Sequence, residues 1–553
     1  MNSNTKTHNS QYEAKELLPI GLIVAIGAIF CRLPALGAWW SLDDWDLLAR
    51  AANVIFSYGP SPRVFSQIVW WEIFYPIFGD NAQSWAFVRL LIFGGISWTT
   101  VRICKHIGMG KLPRLFAGLL VAASPLAFTP LYWASGVQTL LGALFALRAI
   151  DFALQNRPWP VLLLGVFAIL SKENAILLPM ILPFIFINKT WKQWLVIALL
   201  SALATFESWL VLITFDHTPG MPYALGNIQS VFTHLAGYGW WMLSPGIPYT
   251  IKLGLVELIA GLSLWLLWGI YSFKTWRSGD SVPAFLLISS LASIAPALAL
   301  KTHHYPYMAF LAAIPFYILV AQLVASRFSF SVRNSVVISV VVLLLGFGLM
   351  EARISLRTND GLPADPTVRN SSMSYAALKT IRTFKNDPIV ILQPKLSIEG
   401  DSSRLLRPTP LYSALGGQTI VPMLALEGIN LSWETNLSNL SKDVIVLVDA
   451  GPLLKYWGKM PQPLIYLALS DIAMGKYGEA RFALRTAMIG SDTSMPFMYD
   501  ESQLIFPPSE VEKNCEEFLS FLEHDSDING ENGAIIKTAV DLFDRCGFTK
   551  GEK

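Results

Sequence analysis

Charge is what this chain has least of. Asp, Glu, Lys and Arg make up 14% of its 553 residues, against about a quarter in a soluble domain. Hydrophobic residues reach 53% and the mean hydropathy is +0.47. That much apolar surface exceeds what one water-soluble core encloses, so lipid is its natural solvent. The net charge is only +2, and the basic residues lie in short loops between apolar runs, a pattern that gives no footing for nucleic acid. Cysteine is scarce: Cys31, Cys104, Cys515 and Cys546, with no zinc-type spacing. The first two fall in apolar segments and read as small core residues. The last two are placed for pairing if their polar region faces an oxidising compartment. No P-loop, dinucleotide fingerprint, HExxH or GxSxG motif occurs.

What is abundant is apolar and aromatic: 19 Trp and 32 Phe suit broad aromatic belts at bilayer interfaces. Apolar runs fall near 17–38, 85–104, 115–131, 134–153, 159–171, 174–187, 194–215, 251–273, 283–300, 305–326 and 334–351. The first follows a polar tail (1–16), holds Arg32 and ends on Trp39 and Trp40, so it reads as a span rather than a cleaved signal peptide. Several runs are shorter than the roughly 20 residues a straight span needs. The pairs 115–131/134–153 and 159–171/174–187 therefore read as tight hairpins. In that arrangement Lys105, Lys111, Arg114, Arg157, Lys189, Lys192, Lys274, Arg277, Arg327 and Arg333 all lie on one side, the cytoplasmic one by the positive-inside rule. The expectation is an α-helical polytopic membrane protein of about 11 spans over 17–351, with the N-terminus inside and residues 352–553 outside.

The long first loop (39–84) is too aromatic for a solvated linker, so helices along the interface are expected there. From 352 onward apolar runs shorten. DPIVILQP and KDVIVLVDAG read as buried strands. Residues 461–490 read as one tetratricopeptide-like helical hairpin that must pack on its neighbours. The expected outer domain is thus α/β plus helical.

Three polar clusters fall on the extracytoplasmic side of this plan. In WWSLDDWDLLAR, Asp43 and Asp44 are framed by Trp40 and Trp45, with Asp46 following. An aromatic frame and neighbouring acids raise a carboxyl's pKa, as a general base for a hydroxyl requires. The bland alternative is a helix N-cap by Ser41 or Asp43. In ILSKENAILLP, Lys172 and Glu173 sit between apolar half-spans, where an ionisable pair points to function unless it is a hairpin tip with snorkelling side chains. In LALKTHHYPYMAF, Lys301, His303, His304 and Tyr305 crowd one turn; such groups suit phosphate oxygens, or else form an interfacial belt. A divalent metal on Asp43, Asp44 and His304 is a second option. Arg63 and Arg89 are weaker anion candidates. Asp216, His217 and His234 read as structural, and Glu207 and Glu257 as paired within spans.

The acidic pair after the first span, the SKEN tip and the HHYPY tip together resemble the C-type glycosyltransferase superfamily. Within it, the SKEN and HHYPY segments and the tail are most similar to protein O-mannosyltransferases with tetratricopeptide repeats and their bacterial relatives. Lys301, Thr302, His303 and His304 stand where such relatives carry an acid and an arginine, and the tail holds one repeat-like unit rather than many. The resemblance implies an inverting transferase that takes a sugar from a polyprenyl-phosphate donor to an acceptor hydroxyl on protein, lipid or polysaccharide. Asp44, or else Asp43, would be the base; Lys172, Lys301, His303, His304, Tyr305 and Arg63 would face the donor phosphate, supported by Glu173 and Trp45. A lipid-linked glycan ligase or polymerase, a transporter and a membrane receptor or scaffold stay open as alternatives. Asn370, Asn430, Asn436 and Asn439 each begin a glycosylation triplet, which carries no meaning in a bacterium. The expected setting is a bacterial inner membrane with residues 352–553 in the periplasm.

Overall fold

The computed structural model describes residues 18–55, 62–186, 190–218, 223–247, 252–301, 304–328, 332–358, 361–392, 410–434, 444–449, 454–459, 462–489, 508–524, 531–546 and 548. These divide into two compact units, 1–371 and 372–553.

The first unit is an α-helical membrane protein. In chain order its helices are Leu18–Phe30 (α1), Asp43–Ala51 (α2), Trp70–Phe78 (α3), Ala82–His106 (α4) and Lys111–Ala122 (α5). Val137–Leu154 (α6), Pro158–Ile169 (α7), Leu178–Ile185 (α8), Trp191–Thr214 (α9) and Ile228–Leu243 (α10) follow. Leu255–Arg277 (α11), Val282–Leu298 (α12), Phe310–Arg327 (α13) and Val332–Ser355 (α14) complete the longer ones. Each of the eleven apolar runs coincides with a helix. Among the described residues, six are long and apolar enough to cross a bilayer, or seven if a pair bent by 41° around α5 is one span. The runs near 17–38, 159–171, 174–187 and 283–300 form shorter apolar helices.

The bend after α5 has a local cause. Pro125 removes a donor, and Ser124 interrupts the ladder before it. The carbonyls left over are taken by Arg32, whose Nε donates to Ala122 O at 3.1 Å and Nη2 to Ser124 O at 2.7 Å. A buried arginine at the end of the first run is thus a helix C-cap.

In the first loop, α2 and α3 are present where interfacial helices are expected. Trp71 stacks on Trp85 at 4.6 Å and lies 6.1 Å from Trp40, so aromatic packing ties α3 to the start of the loop and to α4. The loop 216–250 holds an element the sequence reading missed, the 16-residue helix α10. It crosses α11 so closely that a Cβ on Gly261 would lie 1.8 Å from Ala236 O; only glycine permits that approach.

The first unit extends past the expected limit of 351 because Arg353 ties the next segment back. Its Nε donates to Asp365 Oδ2 at 2.6 Å and its Nη1 to Pro125 O at 3.3 Å. Asp365 in turn accepts the Thr367 N–H at 2.8 Å at the start of Pro366–Thr383 (α15).

The second unit holds Ile389–Leu392 (β1), Ile420–Leu426 (α16), Leu431–Glu434 (β2), Ile445–Asp449 (β3) and Leu454–Lys459 (β4). The sheet order is β2-β1-β3-β4, parallel except for β4. The two strands read from sequence are β1 and β3. Gln462–Ala473 (α17) and Tyr477–Ile489 (α18) form the expected helical hairpin, turning at Gly475 with φ +70°. Pro508–His524 (α19) and Glu531–Cys546 (α20) pack beside it. Val446, Leu469, Phe518 and Phe543 belong to one core shared by sheet and helices. No disulfide joins Cys515 and Cys546 among the described residues.

Candidate functional site

Successive residues on a helix point about 100° apart, so Asp43 and Asp44 on α2 serve different surroundings. Asp44 is fully buried. Its Oδ1 accepts from the N–H and Oγ of Ser135 at 2.7 and 2.6 Å, and its Oδ2 accepts from Ser41 N–H at 3.0 Å. Burial pushes its carboxyl up to about 6, with these bonds and Arg89 holding it from rising further. Asp44 therefore staples the first loop to the tip after α5, a structural duty that leaves no lone pair aimed at solvent. Asp46 pairs with Arg50 at 2.8 Å, and Trp45 is buried.

Asp43 is the acid that keeps solvent contact. Protein still crowds it: burial pushes its carboxyl above the ordinary range, Arg63 pulls it down, Asp46 pushes it up and Lys172 pulls it down. It feels Arg63 and Lys172, two of the several cations expected to face a phosphate, and the same acid carries the raised affinity for protons that a base needs.

Arg63 is the hub of the site. Its backbone is left-handed at φ +65°, uncommon without glycine. Glu207, a buried acid on α9, fixes that geometry by accepting the Arg63 N–H at 2.6 Å. The guanidinium pairs with Glu173, donates to Gln138 Oε1 at 3.2 Å, bonds Tyr223 and lies 5.3 Å from the Phe215 ring. Beside it, Phe65 N–H donates to Leu170 O at 3.1 Å and Ser66 Oγ to Ser171 O at 2.7 Å. The end of the first loop is thereby sewn to the SKEN tip.

Lys172 and Glu173 sit on that tip, both largely buried, with Nζ 3.5 Å from Glu173 Oε2. Burial and then Arg63 push the Lys172 ammonium down to about 8, against Glu173 and Asp43. Asn174 Nδ2 donates to Ser293 O at 2.8 Å and Met308 O at 3.0 Å, binding the tip to α12 and to the HHYPY segment. Arg63, Lys172 and Glu173 are among the residues that line a cavity of about 400 Å³. Its walls are mostly apolar, from Val211 and Leu212 of α9, Ala295 and Pro296 of α12, and Leu300, with Ser208, His217 and Tyr223 as polar exceptions.

The late tip runs antiparallel to 223–226, with Lys301 N–H donating to Ala224 O at 2.7 Å. Lys301 is exposed. The His304 ring stacks on His234 of α10 at 3.9 Å and lies 5.9 Å from Trp241. Burial, then His304, push the His234 imidazole down to about 4. Tyr305 stacks on Tyr307 at 5.8 Å. Lys301, His304 and Tyr305 are not among the residues lining the cavity, whereas Leu300 and Met308 are. His303 lies outside the described residues.

The structure brings Asp43, Arg63, Lys172 and Glu173 together and sets Asp44 apart as a staple. Arg89 works there too: it donates to Leu131 O at 3.0 Å and offsets the Asp44 charge. Among the described residues no three His, Cys, Asp or Glu side chains are arranged to hold a metal ion, and the alternative set of Asp43, Asp44 and His304 is dispersed by the Ser135 bonds and the His234 stack. Sequence reasoning placed Ser135 only as a polar residue of a hairpin tip, and missed Gln138 and Tyr223, which have no local signal. Glu207 did carry one, an acid inside an apolar run. No family model matches the chain, and no curated protein matches it either.

Proposed function

We propose that this chain is a membrane glycosyltransferase that moves a sugar from a polyprenyl-phosphate donor to an acceptor hydroxyl on the extracytoplasmic face, with inversion. The observation that carries the reading is the cavity itself: Arg63 and Lys172 among its lining residues, walls that are mostly apolar, and, outside that lining, the solvent-reachable Asp43 carboxylate under the field of both cations. A phosphate on an isoprenoid chain has that same division of polar head and apolar tail.

In the proposed reaction Asp43, rather than Asp44, takes the acceptor proton. The acceptor oxygen attacks the anomeric carbon as the bond from that carbon to the phosphate oxygen breaks, and the electron pair stays on the phosphate. Lys172, with Arg63 behind it, offsets the growing phosphate charge, so no general acid is needed. Lys301 stands exposed at the late tip, where a donor head group would enter, and His304 orders that tip through its stack. The membrane would be a bacterial inner membrane, with the second unit in the periplasm selecting a protein, lipid or polysaccharide acceptor. The test is sugar transfer from a radiolabelled polyprenyl-phosphate sugar in membranes. Asp43→Asn should lose turnover by about a hundredfold or more while remaining folded; unchanged transfer would remove the base assignment, and no transfer by the native chain with any such donor would remove the reading.

A further inference from the structure

Glu173 is an acid placed between two cations. One carboxylate oxygen pairs with Arg63, the other lies 3.5 Å from Lys172 Nζ, and all three residues line the cavity. A carboxylate bridging a lysine and an arginine has the shape and charge of a bound phosphate edge. Its contribution to the local charge is as specific as its geometry. Without it the two cations lining the cavity would have no acid beside them in that lining, since Asp43 and Glu207 stand outside it.

That matters because donor and product differ in charge. A sugar linked through phosphate to a lipid is a phosphodiester with one negative charge. The lipid phosphate left behind is a phosphomonoester, which gains a second charge above about pH 6. An uncancelled pair of cations would hold the product more tightly than the donor.

On the donor reading above, we propose that Glu173 tunes the cavity to a single negative charge, so that the phosphodiester is held and the phosphomonoester is let go. It is a specificity and release residue, acting through Lys172 and Arg63 and not on the reacting atoms. The Glu173 carboxyl stays ionised for this task, since Arg63 and Lys172 outweigh the burial that opposes ionisation.

The experiment is lipid binding to the purified full-length chain in nanodiscs, with polyprenyl phosphate and a polyprenyl-phosphate sugar as probes at pH 7.5. Glu173→Gln keeps an acceptor for Arg63 and removes the charge. It should tighten the phosphomonoester on the order of tenfold, given one unit charge at contact distance in a partly screened site, and the phosphodiester by less. Glu173→Asp should restore the native ratio. A purely structural role for Glu173 predicts the opposite sign, with both lipids bound more weakly in Glu173→Gln; that result, or no change, overturns the inference while the donor reading stands. If the native chain binds neither lipid, the donor reading itself fails. Should Glu173→Gln not fold, the native chain still decides: phosphomonoester affinity, taken relative to phosphodiester affinity, should fall as pH rises through about 6, and a constant ratio overturns the proposal.

Discussion

Arg63 and Glu173 stand 110 residues apart in the chain and form one ion pair in the lining of the cavity. The pair joins the first loop to the SKEN tip, and Asn174 on the same tip reaches Met308 beyond the late turn. The end of the first loop, the SKEN tip and the segment after the late turn are therefore joined by direct bonds. Everything proposed about chemistry depends on that convergence.

The two adjacent acids should separate by experiment. Asp44→Ala strips a buried acceptor from the amides of Ser41 and Ser135, costing about 2–4 kcal/mol for two buried donors left unmet. Thermal unfolding in detergent should show a lowered midpoint for Asp44→Ala and a near-native one for Asp43→Asn.

Asp44 also makes stability depend on pH in an unusual direction. Its folded pKa of about 6 lies above the unfolded value of about 3.9, so the folded state binds the proton more tightly. The contribution is complete below about pH 4 and is lost as pH rises through 6. Asp44→Asn should flatten the slope of unfolding midpoint between pH 4 and 6; an unaltered slope would assign it to other groups.

Donor binding should follow Lys172. Its ammonium loses its proton near pH 8, so affinity for a polyprenyl-phosphate sugar should drop on the alkaline side of that value. Lys172→Arg, charged throughout this range, should move the decline upward. Turnover should fall on the acid side as well, once Asp43 is protonated, at a pH above the ordinary carboxylate range. The check is a pair of pH profiles, one for binding and one for turnover.

Much of this architecture was legible before any coordinates. The apolar runs mark their helices because a membrane segment must be nearly uniform in polarity, and β1 and β3 stood out as short apolar runs between turn residues. The helix α10 was hidden, since its Gly, Trp and His residues lack a clean apolar stripe. Asp43 and Asp44 could be flagged as a pair, but choosing between them needed Ser135, which arrives from 91 residues away. The apolar walls of the cavity had no sequence signal, because α9, α12 and the segment at Leu300 each supply only a few ordinary apolar residues.

A glycine reports on how closely Lys172 is packed. A Cβ on Gly142 would sit 3.0 Å from Lys172 Cβ, so Gly142→Ala should displace the lysine by a few tenths of an ångström at a cost of about 1 kcal/mol. The expected result is a several-fold rise in donor KM with a small change in unfolding midpoint. Equal KM values would mean that the lysine's position is not critical.

The most direct test is to find where the donor lipid lies. A photoreactive amino acid at Leu212, on the cavity wall and 54% exposed, is compared with one at Leu262, which is 41% exposed on α11 and not among the cavity-lining residues. Irradiation with radiolabelled polyprenyl-phosphate sugar should give an adduct at Leu212 that unlabelled lipid competes away and Lys172→Ala abolishes, with little at Leu262. Equal labelling at the two positions, indifferent to Lys172, would contradict the account.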